Sequence, residues 1–488
     1  MKNLIFTLLL IFCFSYLAAE PKLENYLMND LELQRLALEF QKTQLSSKKT
    51  SIENGLDIQL SSGTARFTFS DDGNSISINP SVKFSAPQAS NLSLSASSSV
   101  KITNGENNSS DTNISMGVDL VSSSMLNRKI SLQKANRSEL ESKRAFQNRA
   151  LEAENEYYNE LKKLFNSASS IVSKQKDLYD HTITFDEIKA KGYSTGSSKY
   201  RQAEMQVLSD KHEVETLIRT LEHDCAVFAA KCGEPFESGT SPQDFLPSEI
   251  PETEPVDILS FKKSDYKKIE SANYSHEIAE LERKADRDFS LSASSGYTLK
   301  NSNTSFTSSS TTENGRTTTV STEKSDTVDV GLNATWQGLT LGAGVNIPLS
   351  SETNPVYSVS ATLKPNTFRT RKITKKTTAL TEEQELIAIQ AAEDDYETDI
   401  VDKQTELESI LWSKKNNGET FALWNELEKD EKKWFSAGIV KESEYLNARA
   451  NKDLYQLKLL INNIDLIIYN TSTKLLFCRD YEFSDSEN

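Results

Sequence analysis

The chain contains little cysteine, histidine, glycine or proline. Its 488 residues include 4 Cys, 4 His, 17 Gly and 11 Pro. So few Gly and Pro residues leave room for long uninterrupted helices and strands. The histidines do not occur in a His-Glu-x-x-His metal-ligand spacing, and the chain has no Gly-Lys-Ser/Thr phosphate loop. The sequence therefore gives no support for an enzyme, a metal site or a cofactor site.

Positive charge is also scarce, since the formal net charge is -16. A nucleic-acid-binding protein would be expected to carry a basic patch, so this balance argues against that function. It equally disfavours adsorption to anionic lipid. The hydrophobic fraction is only 36% and the mean hydropathy is -0.53. Much of the surface is therefore expected to face water.

Long apolar runs are absent except near the start, where Leu4–Leu17 follows Met1-Lys2-Asn3. This arrangement predicts a signal peptide at residues 1–19. The run is shorter than the roughly 20 apolar residues of a spanning helix, and nothing later is long enough to predict one. Lipidation of Cys13 is the alternative to cleavage after Ala19, and the bulky Phe12 disfavours it.

What the chain does have is one organisation repeated twice. A helical segment leads into a Ser/Thr-rich alternating stretch and then into a longer heptad-patterned region, over 24–228 and again over 264–477. We predict the following domains: signal peptide 1–19; first repeat 20–232, with a β block at about 56–124 and a helical hairpin at about 127–225; Pro-rich linker 233–262; second repeat 263–478, with a β block at about 289–363 and a helical hairpin at about 368–475; acidic tail 479–488.

Alternation of apolar and small polar residues predicts the strands, for example over Ile114–Val118 and Val328–Ala334. Turn residues at 71–74 and 104–108 separate strands of the first block. Residues 301–327 are almost devoid of apolar side chains, and we expect them to form a long polar loop in solvent. The number of strands in each block stays open.

Apolar residues at steps of three and four predict two coiled-coil seams in each repeat, such as the seam from Leu446 to Ile468. Gly192 and Gly438 lie between the paired seams and predict tight turns at the hairpin tips. The longest arm should reach about 45 residues, on the order of 65 Å. Cys225 and Cys232 could form a disulfide or remain free buried thiols, and the sequence favours neither.

This duplicated arrangement resembles the TolC family of outer-membrane efflux proteins over nearly the whole mature chain. The most specific local signature of that family surrounds the hairpin tip, where an aromatic residue, a Gly, an acid, a Leu and an Ala stand at fixed spacing. Phe435, Gly438, Glu444, Leu446 and Ala448 fit that spacing, with Glu in place of Asp.

The first repeat fits the same signature less well. Gly192 and Ala203 are one residue further apart, Lys189 occupies the aromatic position, and Ser198 replaces the acid. The second repeat therefore appears in the sequence as the better-preserved copy.

The resemblance implies an α+β membrane protein located in the outer membrane, with its helical tunnel in the periplasm. It implies a homotrimer in which helix, two strands and a long hairpin occur twice per chain, and in which three chains close a β-barrel, usually twelve-stranded, over a coiled-coil tunnel. The implied partners are outer-membrane lipid, a periplasmic adaptor and an inner-membrane pump. The implied aperture residues at the tips are Gly192, Ser198, Phe435, Gly438, Glu444 and Asn447.

Two alternatives from other classes stay open at this point. The chain could be an exported structural coiled-coil protein whose β blocks form a soluble domain, or a lipoprotein receptor subunit anchored through Cys13. For Glu444 in particular, a simple role at the start of the final helix is as plausible as a role in an aperture.

Overall fold

A computed structural model of the chain describes residues 21–69, 74–87, 89–103, 106–236, 242–286, 289–308, 317–350 and 354–478. The predicted signal peptide, Cys13 and the acidic tail 479–488 lie outside these residues. So do residues 71–73 and 104–105, which belong to the two predicted turns.

The first half of the chain runs from helix to strands to long helices. Its elements are α1 (Pro21–Asn29), α2 (Leu31–Glu53), β1 (Asp57–Ser61), β2 (Arg66–Thr68), β3 (Ser75–Ile78), β4 (Ser81–Ala86), β5 (Leu92–Thr103), β6 (Glu106–Val121), α3 (Ser124–Ala190) and α4 (Ser198–Lys231).

A connecting segment and the second half follow in the same order. The connection contains the short helix α5 (Pro242–Phe245) and two 3₁₀ turns, Ile258–Ser260 and Lys263–Asp265. The second half comprises α6 (Lys267–Ala285), β7 (Phe289–Ser308), β8 (Thr317–Trp336), β9 (Leu339–Pro348), β10 (Val356–Leu363), α7 (Pro365–Ser436) and α8 (Glu442–Leu475). The repeated order expected from the sequence is present, and the protein is mostly helical with an antiparallel sheet.

The two hairpins match each other in length. The first arms, α3 and α7, have 67 and 72 residues, and both second arms, α4 and α8, have 34. At about 1.5 Å per residue the first arms extend for roughly 100 Å. The prediction of about 45 residues was too short, because apolar residues recur at regular seam spacing over only part of each first arm.

One antiparallel sheet contains all the strands that the structure describes. Its main path is β1-β4-β5-β6-β7-β8-β9-β10. The short strands β2 and β3 extend the outer part of the first half: β3 pairs with Val100–Thr103 of β5, beyond the stretch of β5 that pairs with β4. The strand β2 pairs with β3 in antiparallel orientation, in the same way that β1 pairs with β4. Each half of the chain therefore contributes four strand positions to the path, rather than the two that the resemblance implied.

The polar segment 301–327 is not a loop over most of its length. Residues up to Ser308 belong to β7 and residues from Thr317 belong to β8, with pairing that continues to Ser308–Thr317. The prediction of a long loop was wrong. This part of the sequence consists largely of Ser, Thr and Asn, so it has no regular alternation of apolar and polar residues to reveal the strands.

The described residues divide into two compact units, which lie within residues 1–41, 141–271 and 390–488 and within residues 42–140 and 272–389. The first unit has an apolar core in which helices α1 to α4 and α8 take part. Its largest fully buried side chains include Tyr157, Phe165 and Leu161 of α3. Tyr157 packs edge-on against Tyr26 of α1 at 5.5 Å.

The connecting segment is fastened to α8 within the same unit. The Asn470 side chain accepts a hydrogen bond from the Val256 backbone N–H at 2.8 Å and donates one to the Glu254 carbonyl at 2.9 Å. The buried amide thereby satisfies both of its polar ends on a segment that is not a regular element.

The second unit contains the sheet and a small helical cluster. Ile130 of α3 packs with Ile278 and Ala285 of α6. Glu385 of α7 pairs with Arg283 and His276 of α6 at 2.8 Å each. The apolar residues of the sheet itself stay mostly exposed.

Across the part of the chain that the structure describes, none of the helices combines the length and apolarity that crossing a membrane requires.

Candidate functional site

The sheet has two chemically opposite faces, and its register shows this directly. One row of paired positions crosses the entire path through Ile58, Phe84, Leu94, Met116, Ser295, Val330, Val345 and Tyr357. The row two residues further along contains Leu60, Val82, Ala96, Ile114, Tyr297, Val328 and Ile347. We call these rows and the apolar rows beside them the apolar belt.

The belt continues toward the helices in the second half of the sheet. Three further rows are Ala293–Leu332–Ala343–Val359, Leu291–Ala334–Leu341–Ala361 and Phe289–Trp336–Leu339–Leu363. On β8 the belt therefore extends from position 328 to position 336. That is close to the 9–11 residues, approximately, with which a tilted strand crosses a bilayer.

The belt is exposed rather than packed. Met116 and Val330 are each 45% exposed and Tyr357 is 73% exposed. Single exposed apolar residues are ordinary on protein surfaces, but contiguous apolar patches mark places where another apolar phase or partner is contacted.

The opposite face of the sheet is polar, and many of its residues are small. One of its rows contains Asp57, Ser85, Ser93, Gly117, Ser294, Gly331, Gly344 and Ser358. A Cβ at Gly331 would lie 2.9 Å from Ser294 Oγ, and one at Gly344 would lie 2.8 Å from Ser358 Oγ. A side chain at either glycine would therefore require the facing serine hydroxyl to rotate away. We call this face the serine–glycine face.

The two hairpin tips are built on the same helix-ending motif. At the first tip the Tyr193 N–H bonds to the Ile188 carbonyl and the Gly192 N–H bonds to the Lys189 carbonyl. At the second, Ile439 and Gly438 make the equivalent bonds, to Trp434 and Phe435. This is the Schellman arrangement, which needs a left-handed residue after the helix.

The glycines of the two tips supply that left-handed residue. Gly192 has φ +74° and Gly438 has φ +71°, and open space surrounds the position where a Cβ would stand. The requirement for glycine is therefore conformational rather than steric.

A pair of aromatic rings joins the two arms behind each tip. Phe435 stacks on Tyr445 with ring centroids 5.6 Å apart. In the first hairpin Phe185 meets Tyr200 edge-on at 5.1 Å. The spacing of the family signature places the aromatic residue of the first tip at position 189, which is occupied by Lys189. The structure has the ring one turn earlier, at Phe185, with Lys189 Nζ 3.8 Å from the ring centroid.

The other predicted tip residues lie in different surroundings. Ser198 is exposed and begins α4, whereas its neighbour Ser197 is the N-cap and accepts a hydrogen bond from the Tyr200 N–H at 3.3 Å. Glu444 is exposed in the first turn of α8, where the N-cap residue Lys441 makes no side-chain cap bond. A carboxylate in that turn is favoured by the helix dipole.

Asn447 joins the two hairpins. Its amide nitrogen donates to Asp180 of α3 at 3.2 Å, and its amide oxygen accepts from Asn451 at 2.6 Å. Close by along α3, His181 Nδ1 lies 2.5 Å from the buried carboxylate of Asp210 in α4. The sequence offered no signal for the contact between Asn447 and Asp180, because these residues are far apart along the chain.

Cys225 and Cys232 are free, buried thiols. They are seven residues apart at the C-terminal end of α4, which corresponds to about 10 Å along a helix axis. A disulfide requires Cα atoms within about 7 Å, so this helix excludes the possible bond that the sequence left open. Burial raises the pKa of the Cys225 thiol to about 11 and that of Cys232 to about 12.

One buried carboxyl group stands out in the helical unit. Glu154 of α3 is only 4% exposed. Burial raises its pKa to about 7, although Lys474 favours the charged form and opposes the shift. No grouping of His, Cys, Asp and Glu side chains suited to a metal ion occurs among the described residues.

These features define a class: a duplicated protein with one two-faced antiparallel sheet and two long helical hairpins closed by glycine tips. Residues 23–252 match the TP096X N-terminal domain and residues 251–480 match the TP096X C-terminal domain. The chain thus carries both TP096X domains, one directly after the other. None of the curated proteins is similar enough in sequence to match it.

Similar solved structures include three outer-membrane proteins of bacteria. The open-state MtrE outer membrane channel of Neisseria gonorrhoeae is 14% identical, with 93% of this chain and 89% of that chain covered and a TM-score of 0.48. VceC of Vibrio cholerae is 12% identical, with 94% and 95% covered and a TM-score of 0.43. The CmeC outer membrane channel of Campylobacter jejuni is 13% identical, with 93% and 83% covered and a TM-score of 0.39. Because these sequence identities and TM-scores are low, the functional proposal below is based on the sheet and the hairpin tips of this chain.

Proposed function

We propose that the protein is a passive outer-membrane duct for efflux or protein export, in which the sheet crosses the membrane and the helical hairpins enclose a periplasmic passage. The observation that carries this proposal is the exposed apolar belt backed by the serine–glycine face. In a sheet that packs on a core, the apolar face is the covered one. Here it stays open over the length that a tilted strand needs in lipid.

In this arrangement the belt faces lipid and the serine–glycine face lines the lumen. The aromatic residues Phe289 and Trp336 pair at the helix end of the belt, and Tyr297 lies near its other end. Aromatic side chains are enriched at both boundaries of membrane-spanning sheets. Asp57, Lys83 and Asp329 lie on this face among its serines and glycines, so the lumen would be polar and would carry charges of both signs.

We further propose a homotrimer, supported by exposed apolar stripes on helices α2 and α7. On α2 the residues Leu31, Leu38, Leu45 and Ile52 recur every seven positions and are all exposed. On α7 the residues Val401, Trp412, Leu423 and Trp434 recur every eleven positions and are likewise exposed. Repeats of seven and eleven keep one helix face toward a packing partner. The stripes suit contact with further copies of the chain.

The tips would form the periplasmic aperture and would meet an adaptor and an inner-membrane pump. Gly192, Ser198, Phe435, Gly438 and Glu444 lie at or beside the exposed ends of the hairpins. A ring of acidic residues contributed by Glu444 would favour cations at the aperture. Asn447 would act differently from our first expectation: its contact with Asp180 would tie the hairpins of one chain together.

Membrane fractionation tests the proposed function. The mature protein should sediment with the outer membrane, resist extraction by alkaline carbonate, and dissolve only in detergent as a species whose gel migration changes on heating. A mature protein that stays in solution without detergent would contradict the proposal. It would instead favour the structural coiled-coil protein with a soluble β domain.

A further inference from the structure

We infer that all eight strand positions of each chain form part of the membrane wall, so that a ring of three copies contains 24 strands joined at β1–β10 seams. This inference rests on the proposed duct and its three copies. It departs from the twelve-stranded wall that the family resemblance implied.

The continuity of the apolar belt is the first observation. The row that begins at Ile58 and ends at Tyr357 passes through every strand of the main path. Seven of its eight positions are apolar, and the exception, Ser295, is small. If only the four central strands crossed the membrane, the strands outside them would have no reason to continue the same row. Their apolar residues would also remain in water at a cost.

The exposure of the outer strands agrees with this. Every residue of β1 and every residue of β10 is exposed. The exposed side chains include Leu60 at 78% and Val359 at 85%, the latter at the centre of β10. These values exceed those of the central strands because one side of each outer strand lacks a neighbouring strand.

The backbone of the two outer strands supplies the seam. Within the described residues, β1 pairs with β4 and β10 pairs with β9, and each has one edge without a strand partner. Unsatisfied edge groups cannot be left in lipid, so a membrane sheet must close. Every neighbouring pair on the eight-strand path is antiparallel, so β1 and β10 run in opposite directions. They can therefore pair between copies without changing the up-and-down order.

The physical consequence is a wide mouth. Barrel diameter grows roughly in proportion to strand number, so 24 strands enclose a lumen about twice as wide as twelve strands do. The narrowest point of the passage then lies in the helical part, and the mouth would not select solutes by size.

Disulfide trapping locates the seam. Ile58→Cys is combined in turn with Tyr357→Cys, Val359→Cys and Ala361→Cys, and membranes of intact cells are oxidised. At least one combination should give covalent dimers and trimers, whereas each single variant should stay monomeric on denaturing gels. The matched rival pair, Leu94→Cys with Val330→Cys, tests a seam between β5 and β8, as a ring of the four central strands would require. It should not cross-link between chains.

Electron cryo-microscopy of the full chain in lipid nanodiscs counts the strands. Three copies and 24 strands, together with β1–β10 trapping, are the expected result. Three copies with twelve strands, or trapping of the Leu94–Val330 pair, would overturn this inference and leave the duct intact. A protein that forms no ring in a membrane would overturn the proposed function itself.

Discussion

At the scale of single residues, the tip glycines have a backbone role that can be separated from packing. An L-residue other than glycine at the φ of Gly438 costs about 1–2 kcal/mol, although open space surrounds the site. Gly418 provides the matched control because it lies inside α7 with helical backbone and only an ordinary contact, to Leu459 at 3.9 Å.

We therefore predict opposite effects on stability for two Gly→Ala changes, one inside α7 and one at the tip that follows it. Gly438→Ala should lower the stability of the tip by about 1 kcal/mol, whereas Gly418→Ala should raise stability by about 0.5–1 kcal/mol. Hydrogen exchange of the amides near each position measures both. A stabilised tip in Gly438→Ala would show that the left-handed conformation is not required.

The buried Glu154 predicts a dependence on pH. Its folded-state pKa of about 7 is above the ordinary value of 4.5. Between those values the folded state holds a proton that the unfolded state has lost, so stability falls as the pH rises through that window. Glu154→Gln removes the cost of burying the charge. The variant should gain about 3 kcal/mol at pH 8 and less than about 1 kcal/mol at pH 5.

Thermal unfolding of the detergent-solubilised protein at the two pH values measures this effect. Glu152→Gln is the control, since Glu152 is exposed on the same helix, and it should leave the pH dependence unchanged. An equal shift at pH 5 and pH 8 for Glu154→Gln would contradict a buried titrating carboxyl group.

Glu444 gives the prediction for the aperture. If its carboxylates form an acidic ring, Glu444→Gln should lower the preference for cations over anions in single-channel recordings and weaken block by multivalent cations. Glu442, also in the first turn of α8, provides the comparison. An unchanged selectivity in Glu444→Gln, with only a small loss of stability, would assign Glu444 to the helix dipole alone.

At the scale of elements, the sheet predicts that lysine disrupts assembly at one position of β8 and is tolerated at the next. Leu332 lies on the belt near the centre of the apolar part of β8, and Asn333 lies on the other face. Lysine on a lipid-facing strand costs about 2–4 kcal/mol near the bilayer midplane. Leu332→Lys should therefore reduce the amount of folded protein in the membrane, whereas Asn333→Lys should assemble normally. Equal loss in both variants would argue against lipid on the belt side.

The sequence reveals those elements whose two faces differ in chemistry. Alternation at Ile114–Val118 and Val328–Ala334 located strands, and Gly192 and Gly438 located both turns. The outer part of the β7–β8 hairpin was not predicted, because its sequence is polar almost throughout and shows no alternation. The aromatic pair of the first tip was not predicted, because Phe185 lies one helical turn before the expected position, Lys189.

The number of strands could not be read from the sequence for a related reason. Short strands such as β1 and β4 carry only two or three apolar residues each, and the alternation within them does not say which strands pair. Pairing register is a long-range property, fixed when Ile58 meets Phe84 and Phe84 meets Leu94. The same holds for the contact between Asn447 and Asp180.

At the scale of the whole molecule, the two halves repeat one design with different details. Both hairpins have a long first arm, a Schellman ending at glycine and a 34-residue second arm. They differ in the connection after the glycine, where the N-cap is Ser197 in the first tip and Lys441 in the second. The backbone of the first tip is thus as well formed as that of the second, and the difference seen in sequence concerns side chains and loop length.

The central claim is that this chain forms an open passage through a membrane with its apolar belt in lipid. Its most direct test is the conductance of a planar lipid bilayer exposed to the purified protein, with Leu332→Lys and Asn333→Lys measured in parallel. The account predicts discrete conductance steps for the parent and for Asn333→Lys, and far fewer insertions for Leu332→Lys. A parent protein that leaves the bilayer silent, or a Leu332→Lys variant that inserts as readily as the parent, would contradict it.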